Sequence, residues 1–332
     1  MTVTQAATDP DRIPGLFLDI LGDDAVLAGE VNEDYTHDEA LTAAPVTPAA
    51  VLLPSSTEEV SAILRVASEH GIPVTARGAG TGLSGAAIAR PDGVLVSFER
   101  MNQVLEVDTE NFVAVVQPGV QLDQLDEVLA AHDLVYQVFP GESSASLGGN
   151  VNTNAGGMRA VKYGVTRHHV LGLEAVLAPG GGSRTGGKIV KVSTGYDLTQ
   201  LIVGSEGTLA LVTDATLKLY PRARHGATVL APFTTLDQVT AAVPEIVASG
   251  VGPLILEYID MMTMAATEAH TGLELGIPSD VKETALAYLV IALEDDHESR
   301  LDEDVAALGE LLVELGAVDV YVLPPGAATD LI

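Results

Sequence analysis

A proline–aspartate–glycine break, Pro91-Asp92-Gly93, closely follows the stretch RGAGTGLSG at residues 77–85, and it constrains the fold more than any other feature. Gly80, Gly82 and Gly85 form a G-x-G-x-x-G pattern. In a Rossmann domain that pattern opens a helix whose N-terminus faces a pyrophosphate. Here residues 86–90 are too few to make such a helix before Pro91 and Gly93 stop it. Residues 93–98 then read as another strand. Glu106 and Asp108 lie roughly where a ribose-binding acid would sit, but carboxylates are common throughout this chain. The loop therefore joins strand to strand, and the NAD reading fails on context.

The surrounding punctuation supports that order. Residues 50–54 read as a short strand, and Ser56-x-x-Glu59 is a capping box that opens a helix running to about Glu69. Gly71 ends the helix, and residues 72–76 form the strand entering the glycine loop. Further strands are expected at 112–117, at 173–178 and after Ser205, with an amphipathic helix at 121–132. Between them lies a long glycine- and polar-rich stretch at 139–164. From about His225 the pattern alternates regularly: strand 227–232, helix 235–249, strand 253–259, a short helix, strand 287–293, helix 298–315 and strand 318–323. That βαβ, βαβ order is typical of a ferredoxin-like α+β layer, and the domain boundary is expected near residues 221–225.

Composition narrows the function. The 332 residues suffice for two domains. A formal net charge of −30, with 46 acidic against 16 basic residues, argues against a nucleic-acid or anionic-membrane partner. Residues 1–221 carry 12 of the bases, so an anionic ligand is expected there. With no cysteine, the chain has no disulfide, thiolate zinc site, iron–sulfur cluster or thiol nucleophile of its own. The N-terminus lacks the basic start and apolar core of a signal peptide, no stretch is long enough for a membrane span, and a cytoplasmic location is expected.

Four glycine-rich segments have the chemistry of an anion and ring cradle. In 77–85 the glycines let backbone N–H groups converge on an oxyanion, with Thr81 and Ser84 as hydroxyl donors and Arg77 as a nearby cation. PGESSASLGG at 140–149 combines hydroxyls with a glycine pair suited to close approach by a flat ring. TNAGG at 153–157 repeats the pattern, and GSEGTL at 204–209 leads into a strand. Each alone reads as an ordinary tight turn. Four in one domain point to a ligand.

These residues carry a family resemblance. RGAGTGLSG, GGNVNTNAGGMRAVKYGVTRHHVLGLEAVLA and TGYDLTQLIVGSEGTLALVTDATLKLYP, in that order, resemble the FAD-binding domain of the vanillyl-alcohol-oxidase (PCMH-type) flavoproteins. The branch they look most like contains glycolate oxidase, D-lactate dehydrogenase and D-2-hydroxyglutarate dehydrogenase. The resemblance implies an α+β fold: a two-subdomain PCMH-type FAD-binding domain over residues 1–222, its core about 44–222, then part of a ferredoxin-like cap or substrate domain at 223–332. It implies that Gly78, Ala79, Gly80, Thr81, Gly82, Leu83 and Ser84 wrap the FAD pyrophosphate. Pro140, Gly141, Ser144, Ser146, Gly148 and Gly149 would line the isoalloxazine and ribityl side, and Thr153, Asn154, Ala155, Gly156 and Gly157 would continue that wall. Glu206, Gly207 and Val212 would contact the adenosine or pyrophosphate end. Relatives that tether flavin use His or Cys; this chain has no Cys and no His in the first loop, so the FAD is expected to be non-covalent.

The implied function is oxidation of a 2-hydroxy acid to the 2-oxo acid by hydride transfer to flavin N5, with a separate electron acceptor. A flavin-binding subunit or fragment without activity of its own, and a sugar or aldonolactone oxidase, are the alternatives. A homo-oligomer or a partner subunit fits either. Two departures from the family stand out. Arg167 is followed by His168 where the family has Asp, and no H-x-G-D-G-N-x-H segment is present, so the catalytic base and any metal ligands are expected beyond Ile332 in a truncated chain. His168-His169 is weighed as a metal pair and set aside, because adjacent side chains diverge. Arg159 and Lys162 are candidates for an anionic group, with solvated surface as the alternative, and 294–296 reads as an acidic strand end.

Overall fold

The Thr57–His70 helix organises the first half of the chain. Ser56 Oγ accepts the Glu59 N–H at 3.2 Å at its start, and Gly71, at φ +65°, ends it in the left-handed conformation. Glu59 reaches back one residue further than the expected box, accepting from the Ser55 N–H at 2.7 Å. The computed structural model describes residues 9–273, 275–324 and 331. The helix buries Val60, Ile63, Leu64 and Ala67 against a four-stranded sheet, in the order Val26–Leu27, Ala50–Leu52, Val94–Ser97, Val74–Arg77. The last three strands are parallel, so the apolar run of Val94–Ser97 is covered on both faces.

A second, five-stranded antiparallel sheet follows, ordered Val104–Asp108, Val113–Val116, Ala210–Lys218, Val170–Leu177, Gly181–Gly186. Its inner face packs on the Leu122–Ala130 and Leu147–Thr153 helices through Ala114, Val116, Leu125, Leu129, Leu147, Val151, Val212 and Leu217. Burying each such aliphatic side chain is worth roughly 1.5–3 kcal/mol. The Leu147–Thr153 helix lies inside the stretch read from sequence as irregular. Two glycines and three polar residues among its seven hide it from periodicity; Ser146 caps it and Leu147 and Val151 bury it.

The chain divides into two compact units, 1–156 with 165–221, and 157–164 with 222–332. The second unit carries a sheet ordered Ile255–Asp260, Ala287–Asp295, His225–Phe233, Tyr321–Leu323, every neighbouring pair antiparallel. In chain order that is 2-3-1-4, the split βαβ arrangement of a ferredoxin-like layer. The Leu236–Ala248 and Glu298–Glu314 helices cover one face through Val239, Ala242, Ile246, Leu301, Leu308 and Leu312. The mixed α+β architecture expected from the sequence is the one observed. Among the described residues, no helix is long and apolar enough to cross a membrane.

Candidate functional site: a glycine-walled cavity

A cavity of about 390 Å³ opens in the first unit, at the C-terminal ends of two parallel strands. Arg77 ends one strand and Phe98 follows the other, and both line it. Crevices beyond the carboxyl ends of parallel strands are the usual ligand sites of such sheets. The volume falls within the roughly 300–1,000 Å³ of small-molecule and cofactor pockets.

The glycine loop forms one wall. Among the described residues, the backbone N–H groups of Gly80, Thr81, Gly82, Leu83 and Ser84 donate to no protein acceptor. The loop's shape is held from behind. Ala79 N–H donates to Ser146 Oγ at 3.2 Å, Glu39 N–H to Gly82 O at 2.9 Å, and Ala87 N–H to Asp38 Oδ2 at 3.4 Å. Asp38, itself buried and lining the cavity, also accepts the Ala40 N–H at 3.1 Å. Two segments far apart in sequence thereby clamp the loop while its amides at 80–84 keep no protein acceptor among the described residues.

Arg77 plays a different part from the one its position suggests. Its side chain is buried, Nη1 donates to His37 O at 2.5 Å, and the carboxylates of Asp34, Asp38 and Glu99 surround it. Burial lowers its pKa while those acids oppose the shift. Its charge is balanced inside the protein, so the loop's dipoles are the main attraction for an anion. Glu99 is shared with Tyr35, whose hydroxyl donates to it at 2.9 Å; burial first, then that hydrogen bond, push the Tyr35 pKa up to about 12.

Close backbone approaches join the glycine loop to a second wall, the Leu147–Thr153 helix and its flanks. A Cβ on Gly78 would lie 2.0 Å from Ser146 Oγ, and one on Gly148 2.6 Å from Pro118 Cβ and 2.9 Å from Pro118 O. Gly80, at φ +82°, sits over the Arg77 guanidinium, where a side chain would be both strained and clashing. Asn152 joins the 204–209 turn to this wall: its carbonyl accepts the Glu206 N–H at 2.9 Å and its Oδ1 the Gly207 N–H at 3.2 Å.

Most residues picked out from the sequence line this cavity. Gly141, Ser144, Asn154, Gly156 and Gly157 do not. Ser144 donates to Glu142, Asn154 in the left-handed region caps the Leu147–Thr153 helix, and Gly156 packs beside Val165. Gly157 groups with the second unit. Missed by sequence reading were Asp38, Ala76, Ala86, Ala87, Phe98, Pro118, Glu142, Ala145, Asn150 and Asn152. The asparagines stood in GGNVNTNAGG as a readable signal; Asp38 and Pro118 carried none. His169 is buried between the rings of Tyr136 and Tyr220 with Nδ1 beside Val165 O, and burial lowers its pKa. No group of three or more possible metal ligands occurs among the described residues.

The FAD binding domain family matches residues 48–186, and the FAD linked oxidases, C-terminal domain family matches residues 222–329. Over 317 residues the chain is 60% identical to an uncharacterized FAD-linked oxidoreductase of Mycobacterium tuberculosis (strain ATCC 25618 / H37Rv), covering 95% of this chain and 69% of that one.

The chain belongs to the FAD-linked oxidoreductases.

This FAD-linked oxidoreductase is also 39% identical over 299 residues to a D-lactate dehydrogenase of Anaerostipes hadrus, covering 90% of this chain and 63% of the relative. It is 43% identical over 240 residues to a glycolate oxidase subunit of Bacillus subtilis (strain 168), covering 72% of this chain and 51% of the relative. The chain thus spans between half and somewhat over two thirds of these proteins' lengths. A solved structure of p-cresol methylhydroxylase with substrate bound shares the fold at TM-score 0.80 and 20% identity, covering 98% of this chain and 70% of that one. FAD is the cofactor, and the cavity fits it. Gly78, Gly80 and Gly148 let the segments that line the cavity pack tightly on Ser146, Arg77 and Pro118, and the amides of 80–84, which donate to no protein acceptor among the described residues, supply anion donors.

Proposed function

We propose that the chain holds FAD in the glycine-walled cavity and serves oxidation of a 2-hydroxy acid of the glycolate, D-lactate or D-2-hydroxyglutarate type to its 2-oxo acid. The observation that carries this reading is the 39–43% identity to proteins named D-lactate dehydrogenase and glycolate oxidase subunit. The division into an FAD-binding domain at 1–222 and a cap or substrate domain at 223–332 belongs to the same proposal, as do a separate electron acceptor and a cytoplasmic location.

Bound FAD supplies a two-electron acceptor for the substrate's C–H bond. The chain's own share is binding and orientation. The amides of Gly80, Thr81, Gly82, Leu83 and Ser84 would hold the pyrophosphate, Pro140, Ser146, Gly148 and Gly149 would line the ring side, and Asp38 with Ser146 keeps the glycine loop in place.

A second reading is favoured by the cavity's ionisable groups, which are Asp38, Arg77, Glu142 and Glu206. Both Asp38 oxygens accept backbone N–H groups, and hydrogen bonds from Ser144 hold the Glu142 pKa below its ordinary value. A general base works best with a pKa near the operating pH. Among the described residues no histidine, lysine or tyrosine lines the cavity, which suits a flavin-holding chain that turns over only with further protein. Anaerobic mixing of the FAD-loaded chain with D-lactate, glycolate, D-2-hydroxyglutarate and an aldonolactone tests both readings. Bleaching by a hydroxy acid supports the first reading, and bleaching by the lactone alone overturns it. Bound FAD that none of them bleaches supports the second.

A further inference from the structure

Val165 is gripped by two consecutive histidines. His168 Nδ1 accepts its N–H at 3.0 Å, and His169 Nδ1 donates to its carbonyl oxygen at 3.2 Å. An accepting Nδ1 requires a neutral His168. His169 is fully buried, and its Nε2 has no hydrogen-bond partner among the described residues. Burial, then the nearby Lys218 and His168, disfavour its charged form. The pair set aside as metal ligands is thus a clamp on the backbone.

The clamp bears on the cavity wall, and every residue between them belongs to the first unit. Thr166 donates to Ala155 O twice, from its N–H at 3.0 Å and its hydroxyl at 2.8 Å. The Arg167 N–H donates to Asn154 Oδ1 at 3.0 Å, and Ala155 lines the cavity. Behind the turn, His169 O accepts the Lys218 N–H at 2.7 Å, and the His169 ring lies 5.7 Å from those of Tyr136 and Tyr220. Those two tyrosines, Lys218 and His168 are the titratable groups facing His169, with no carboxylate among the described residues there; His168 itself is exposed. A proton added to His169 is a buried charge beside cations, and one added at His168 Nδ1 removes an acceptor.

We propose that His168 and His169 are positioning residues that make flavin retention sensitive to acid. Neutral, they hold the 165–169 turn against Ala155; protonated, they release it. The released turn takes up protons that the clamped turn excludes, so falling pH favours release. The proposal rests on the reading of the cavity as the FAD site.

The test is an FAD titration of the apo-protein, followed by flavin fluorescence, between about pH 7.5 and about pH 5.5, the range in which histidine changes charge. Wild-type affinity is expected to fall about fivefold across it, within the roughly tenfold per pH unit that one linked proton allows. His168→Asn keeps an acceptor oxygen that does not titrate, and His169→Phe keeps a ring between the tyrosines with no proton to gain. Both are expected to flatten the fall. His169→Phe also loses the bond to Val165 O, so weaker binding is expected at the neutral end. His132→Asn removes an exposed histidine outside the turn and is expected to keep the wild-type profile. Amide protection at Thr166, measured against that of the Thr57–His70 helix, is expected to drop with pH in the wild type. Wild-type affinity that does not change with pH overturns the proposal, and so does a wild-type fall in either clamp variant. If His169→Phe does not fold, His168→Asn and the exchange measurement decide. Wild-type protein that binds no FAD at any pH overturns the cavity assignment instead, while exchange at Thr166 still tests the clamp.

Discussion

Ser146 and Ala79 are bonded at the cavity wall: the Ser146 hydroxyl oxygen accepts the Ala79 N–H at 3.2 Å and, at the same distance, the Gly149 N–H of the helix it caps. One oxygen thus ties the glycine loop to the start of the Leu147–Thr153 helix. Ser146→Ala should cost about 1 kcal/mol of stability through the lost cap. It should also weaken FAD binding by more than the cap alone explains, because Ala79 is released. Thermal melts of apo- and FAD-loaded protein separate the two effects: the gap between the two melting temperatures should narrow in the variant.

Gly148→Ala tests the close approach on the other wall. The added methyl meets Pro118 backbone as well as side chain, so the neighbour cannot swing away. Overpacking of this kind costs roughly 1–3 kcal/mol. The expected result is a lower melting temperature and poor retention of flavin on gel filtration. Gly141→Ala is the contrasting case. Its Cβ would meet nothing within 4 Å, but φ is +92°, so a backbone penalty of roughly 1–2 kcal/mol without overpacking is expected.

Asp38→Ala removes the acceptor for the Ala40 and Ala87 N–H groups and one of the charges balancing Arg77. Unsatisfied buried donors cost roughly 1–3 kcal/mol. The variant should lose stability and bind FAD several-fold more weakly, measured by denaturant unfolding and flavin titration. Asp38→Asn keeps one acceptor oxygen and should lie between the variant and wild type.

The Glu174–Asp214 pair predicts a pH effect on stability. Burial first, then the hydrogen bond and charge of Glu174, raise the Asp214 pKa to about 6, and Arg184, 2.6 Å from Glu174, only partly offsets this. A carboxyl group whose folded pKa lies above its unfolded value stabilises the protein fully at pH values below the unfolded pKa. That contribution is lost as pH rises through about 6. Asp214→Asn should therefore gain a few degrees in melting temperature over wild type at pH 7, with the difference shrinking toward pH 4. A constant difference across that range would contradict the assignment.

Local grammar made much of this protein legible. Pro91 and Gly93 cut the chain six to eight residues after the end of the glycine loop, and that alone separated a strand-to-strand connection from a Rossmann turn. Ser56 and Gly71 bracketed a helix because capping depends on neighbours a few residues apart. The regular alternation after His225 showed the second unit's layer, since burying one face of each element leaves a period in the sequence.

What only the tertiary structure decided involves residues whose partners lie far along the chain. The sequence offered Arg77 and Lys162 as cations for a ligand, yet folding gives the first to His37 and its acidic neighbours and the second to Glu294. Asp38 and Pro118 carry no signal of their own, and sheet packing and loop closure alone bring them into the cavity wall. The Leu147–Thr153 helix, too glycine-rich to announce itself, exists because Ser146 caps it and the antiparallel sheet buries it. Propensity and periodicity are short-range properties, readable along the chain. A site made of backbone amides and absent side chains is a property of distances, and those exist only once the chain has folded.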